Sequence, residues 1–164
     1  HIDLTDEQEA QMDIILAGYH LSATKRRLIP LLQMAVPAVF AQIGVCSKGQ
    51  MRRNTKTYID CIKARKIDVI THPGYLMPID YKELGKVCAD LGTYLEISSR
   101  HTIPNEKGLE DLLSTDVKFV INSDAHELYQ IGNVNYAMTL IEKYHIQDRV
   151  CNLNGDKLVL RSKS

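Results

Sequence analysis

Along the second half of the chain, short continuous apolar runs alternate with segments in which apolar residues return every three or four positions. The short runs predict strands at Asp68 to Thr71, Thr93 to Ile97 and Lys118 to Ile121. The helical periodicity predicts helices at Thr55 to Arg65, Asp80 to Leu91, Leu109 to Leu113 and Val134 to Tyr144, with Gly92 as the stop after the second. Upstream, Thr5-Asp6-Glu7-Gln8 has the form of a capped helix start, and Ile14-Ile15-Leu16-Ala17 reads as a fourth, fully buried strand leading into Gly18-Tyr19-His20. Strands that alternate with helices imply a parallel sheet with helical crossovers, so the fold class is α/β.

One segment departs from this rhythm. Leu21 to Arg53 carries Lys25, Arg26, Arg27, Lys48, Arg52 and Arg53 with no acid, around an apolar stretch broken by Pro30 and Pro37. It reads as a basic, partly helical surface insertion, or as a lid that draws anionic substrates toward His20.

Composition narrows the function classes. A chain of 164 residues, 45% hydrophobic and 24% charged, can bury the core of a single domain spanning 1–164. Twenty Lys and Arg balance 20 Asp and Glu, which argues against a standing nucleic-acid or membrane surface. Cys46, Cys61, Cys88 and Cys151 form no C-x-x-C pair, as expected of free thiols in a reduced compartment. No leader-like opening and no apolar run of roughly 18 residues is visible, so the expectation is a cytoplasmic, soluble protein without a membrane partner.

The chemistry gathers where predicted strands end. His20, His72 and the Asp124/His126 pair each follow an apolar run, and in an α/β barrel the loops after the strands converge on one rim. Pro73-Gly74 turns the chain just after His72, and residues two apart in extended backbone, such as Asp124 and His126, share a face. Imidazole and carboxylate donors without thiolates suit Zn, Mn or Fe in a catalytic site. His20, His72, Asp124 and His126 are therefore the candidate metal ligands. Glu96, inside an apolar strand, is expected to hydrogen-bond a ligand histidine rather than to bind metal. Arg100 either clamps a substrate phosphate or is a solvent-exposed loop residue. His101 and His145 are lesser candidates, the latter at a helix end where a cation is favourable in any case.

Ala17-Gly18-Tyr19-His20, Thr71-His72-Pro73-Gly74, Leu95-Glu96-Ile97-Ser98-Ser99 and Asn122-Ser123-Asp124-Ala125-His126, in this order, resemble the polymerase and histidinol phosphatase (PHP) family, in particular its stand-alone phosphatase branch. The resemblance implies a distorted (β/α)7 TIM-like barrel with up to three divalent metals on its rim. It also implies a metal-dependent phosphoesterase acting on a small phosphorylated substrate. By that likeness His20 and His72 bind one metal, Asp124 a second and His126 a third, with Asp124 central to catalysis. The family's His-x-His pair and bridging Glu have no counterpart here, so the chain reads as the C-terminal portion of such a barrel, inactive by itself and holding fewer metals or none. The expected partner is a second copy of the chain, or the remaining barrel portion. Two other readings stay open: a non-catalytic PHP scaffold for assembly or ligand binding, and the nuclease-like PHP domain of a DNA polymerase.

Overall fold

The computed structural model describes residues 4–20, 46–155 and 157–163. Helix α1 (Asp6–Gln11) opens on Thr5, whose side chain accepts from the Gln8 backbone N–H while the Gln8 side chain returns the bond. Strand β1 (Leu16–Ala17) follows, then α2 (Lys48–Ala64), β2 (Val69–Ile70), α3 (Tyr81–Leu91), β3 (Tyr94–Ser98), α4 (Glu106–Leu113), β4 (Phe119–Asn122) and α5 (Asn135–Tyr144). Each of α2, α3 and α4 begins on a side chain, Ser47, Asp80 and Asn105 respectively, that accepts from a backbone N–H of the first turn. Helix α3 stops at Gly92, the expected terminator.

The four strands form one sheet in the order β1-β2-β3-β4, every pair parallel. This is the α/β arrangement anticipated from the sequence. The described residues make a four-stranded sheet rather than a closed barrel.

Ile70, Leu95, Ile97 and Phe119 project into the main core, where Ile62, Leu84, Leu109, Leu112 and Ile141 of the helices bury themselves completely. Burying one such side chain stabilises the fold by about 1.5–3 kcal/mol. Val69, Tyr94 and Val120 face the other side with Ile14, Cys151 and Leu158. Because side chains alternate along a strand, Glu96 lies on the face of Tyr94, opposite the helices, and directly across from Val120.

Both edges of the sheet are held by polar contacts. Asp68, fully buried, accepts from the Ile15 N–H with Oδ2 and from the Ser162 N–H with Oδ1, tying β1 and the C-terminal segment to the start of β2. Beyond β4, Val150 bridges Phe119 in parallel, and the Asn152 side-chain amide pairs with both the N–H and the C=O of Ile121. An amide side chain thereby takes the place of a strand's backbone.

Two expectations need correction. The first strand is not fully buried: only Leu16 and Ala17 pair, and Leu16 is 53% exposed because β1 is an edge strand with one covered face. The helix expected from Thr55 also starts earlier, inside the basic segment, since Ser47 caps α2, and Lys48, Arg52 and Arg53 lie on its exposed side. Residues 21–45, which carry the rest of that segment, lie outside the described residues. Among the described residues no helix is long and apolar enough to cross a membrane.

Candidate metal centre

His20, His72, His101 and Asp124 come from the C-terminal ends of β1, β2, β3 and β4, and three of their side chains meet at one point. Ligand atoms of His72, His101 and Asp124 all lie within 4.8 Å of one another, so this group could hold a metal ion. The His101 Nε2 stands 3.0 Å from the Asp124 Oδ2. The His72 ring lies edge-on to His20, centroids 4.9 Å apart, and to His101 at 5.1 Å. Tyr75 stacks on His101 with centroids 3.8 Å apart and sets the plane of that ring.

The backbone is bent to achieve this. His72 has φ 33 and Asp124 φ 49, left-handed values that disfavour any residue with a Cβ. Such strain costs of order 1–3 kcal/mol per residue and persists where surrounding structure enforces it, commonly at functional sites. For His72 the enforcing contacts are visible. Its N–H donates to the Glu96 Oε2, and Tyr81 donates its hydroxyl to the Pro73 carbonyl from a slot that Gly74 and Gly108 leave open. A Cβ at Gly74 would stand 2.4 Å from the Tyr81 Oη, and one at Gly108 2.6 Å from its ring. Gly18 plays the same part beneath the His72 ring, where a Cβ would come within 2.2 Å of the Thr71 Oγ1 and 2.9 Å of the His72 Cε1.

Asp124 belongs to a loop organised by Gln130. The Gln130 Oε1 accepts from the N–H groups of His126 and Glu127, at 2.9 and 3.2 Å, and from the Arg100 Nη1 at 3.4 Å. The same Arg100 nitrogen donates to the Asp124 carbonyl at 3.2 Å. His126 turns its Nδ1 to that carbonyl as well, 2.9 Å away, and its side chain stays 57% exposed.

Electrostatics keep the imidazoles in the form that binds metal. Burial, reinforced by His20 and His101, pushes the His72 pKa down to about 4, so the ring is neutral near pH 7. Burial also lowers His101, against the pull of Asp124. Glu96 is pushed up to about 7 by burial, despite the N–H it accepts from His72.

The residues present fit a divalent cation. The His72 Nδ1, the Glu96 Oε1 and the Asp124 Oδ2 are buried without a hydrogen-bond partner. The approach of His101 to Asp124 lies in ion-pair range without satisfying hydrogen-bond geometry, so it leaves that oxygen without a donor. Each such orphan costs about 1–3 kcal/mol unless something binds it.

Of the side chains singled out by sequence, His72 and Asp124 belong to this group, His20 touches it through the edge of the His72 ring, and His126 contacts Asp124. Glu96 reaches the backbone of His72 rather than its ring, and Arg100 is turned onto the Asp124 loop. His101, ranked low from sequence, is inside the group. Its signal was the one used for the others, a position just after a strand, obscured by two intervening serines and an arginine.

No family model matches the chain. Curated relatives do. A probable phosphatase of Proteus mirabilis is 26% identical over 168 aligned residues, covering 96% of this chain and 60% of the relative. One of Caldanaerobacter subterraneus is 28% identical over 118 residues, 66% of this chain and 46% of the relative. One of Thermoanaerobacter sp. is 30% identical over 118 residues, 66% of this chain and 48% of the relative. The chain thus spans about half the length of the curated relatives it matches, and all three of these relatives are named probable phosphatases.

Proposed function

We propose that this chain is part of a metal-dependent phosphoesterase of the PHP type that hydrolyses a phosphate monoester. The observation that carries the reading is the group of neutral imidazoles and an unpartnered carboxylate at the ends of adjacent parallel strands, in a chain whose relatives are named probable phosphatases. His20, His72, Asp124 and His126 are the residues that would hold divalent metal, with Zn, Mn or Fe the ions suited to them. When bound, the metal supplies Lewis-acid polarisation of phosphate oxygens and a nucleophile at neutral pH. The protein's part is to hold the His72 imidazole neutral, to aim the Asp124 carboxylate, and to present Arg100 beside it as a cation for the phosphate. Because the chain spans about half of its relatives, the activity is assigned to the larger unit.

The test is hydrolysis of p-nitrophenyl phosphate, with bis(p-nitrophenyl) phosphate as the diester comparison and Mn²⁺ or Zn²⁺ added. It compares this chain alone with the chain joined to the region its relatives carry beyond the match. Metal-dependent monoester turnover by the joined protein, lost in EDTA and in Asp124→Ala, is the expected result, with the chain alone far slower. Equal turnover by the chain alone would refute the assignment to the larger unit. No metal-dependent turnover by the joined protein would leave the non-catalytic scaffold as the better reading.

A further inference from the structure

We infer that His101 is itself a metal ligand, forming with His72 and Asp124 a site for one divalent transition metal that this chain supplies entirely from its own strand ends. The PHP likeness gives His101 no role, and the inference deepens the metal-dependent reading while resting on it only for what the metal does in turnover.

Geometry makes the first argument. Nitrogen and oxygen donors held at about 2.0–2.1 Å around a zinc-like ion stand about 3.4 Å from one another. The His101 Nε2 and the Asp124 Oδ2 are already 3.0 Å apart, and the whole donor group fits within 4.8 Å. Closing the widest gap takes a shift of about 1.4 Å, within reach of a side-chain rotation. The His101 ring is held for this by its stack on Tyr75, and the Asp124 backbone by Arg100 and the left-handed φ.

The second argument is what a purely structural histidine would leave unexplained. A His–Asp pair formed for stability should satisfy both partners, yet the Asp124 Oδ2 lacks a donor. Beside it the His72 Nδ1, on a side chain 2% exposed, also lacks a partner. A cation within the group would take the Asp124 Oδ2 together with a ring nitrogen of His72. Two imidazoles and one carboxylate, without thiolate, suit Zn²⁺, Fe²⁺, Co²⁺ or Mn²⁺, and three protein donors leave a position open for substrate.

Cobalt(II) titration of the metal-free chain, followed by visible absorption and calorimetry, tests this directly. One ion per chain is expected to bind. His101→Ala should weaken binding by about 100-fold or more, at or beyond the upper end of what losing an outer-shell partner costs. His101→Asp, which restores an oxygen donor, should recover part of the affinity with a shifted absorption band, and His145→Asn should match the parent. If His101→Ala does not fold, proton NMR of the unmodified cobalt-loaded chain decides, through strongly shifted His101 ring signals. Failure to bind cobalt, or affinity and ring signals indifferent to His101, overturns the inference. The phosphoesterase reading is judged separately by turnover: metal-dependent hydrolysis insensitive to His101→Ala would leave it standing, and metal bound through His101 without hydrolysis would do the reverse.

Discussion

His72 and Glu96 are buried neighbours whose shifts oppose each other. His72 titrates near 4 in the folded chain against an ordinary 6.5, so between those values the unfolded chain holds a proton the folded one lacks, and stability rises with pH. Glu96 titrates near 7 against an ordinary 4.5, so the folded chain holds the extra proton and stability falls as pH rises through that window. From pH 4.5 to 6.5 the two contributions cancel, each with a slope of about 1 kcal/mol per pH unit. Glu96→Gln removes the falling contribution and keeps an acceptor for the His72 N–H. In EDTA its urea midpoint should climb from pH 4.5 to 6.5 while the parent's stays nearly level. Parallel curves for the two proteins would show that the pair is not titrating as its burial requires.

At the scale of elements, the helices and the sheet were legible because their signals are local: Thr5 with Gln8, Asp80, and Gly92 mark ends that the structure keeps. His72 and Asp124 were legible because an apolar run stops just before each. Less could be read where the determining contact comes from far along the chain. The edge of β4 is closed by Asn152, some 31 residues on, and β1 is anchored by Asp68, 53 residues from Ile15. His101 ranked low for a related reason. Its importance comes from Tyr75 and Asp124, which the fold brings to it and no spacing in the sequence announces.

The loop from Asp124 to Ile131 shows how an element supports a site beyond the side chains it contributes. Three of its hydrogen bonds meet on one oxygen of Gln130, and the flanking Leu128, Tyr129 and Ile131 are exposed, so they lend little packing. Gln130→Leu should therefore change global stability by less than about 1 kcal/mol, since exposed hydrogen bonds contribute little net. It should also speed amide exchange at His126 and Glu127 by about tenfold or more, because local opening loses its restraint. Gln130→Glu, which keeps the acceptor, should restore protection. Unchanged exchange in Gln130→Leu would mean that the loop is held by something else.

For the whole molecule, the parallel order of the strands gives the site its shape. Four strands laid side by side in sequence order bring all their C-terminal ends to one edge, where His72, His101 and Asp124 meet although they span about 50 positions of sequence, with His20 against the His72 ring. The central claim is that this edge holds a divalent metal. It is tested most directly by crystals of the chain grown with Zn²⁺ or Mn²⁺, with anomalous difference maps recorded on either side of the metal's absorption edge. The account predicts one dominant peak within about 2.0–2.2 Å of donor atoms of His72 and Asp124. No peak at the strand ends, or His72 and Asp124 on opposite faces of the sheet, would contradict it.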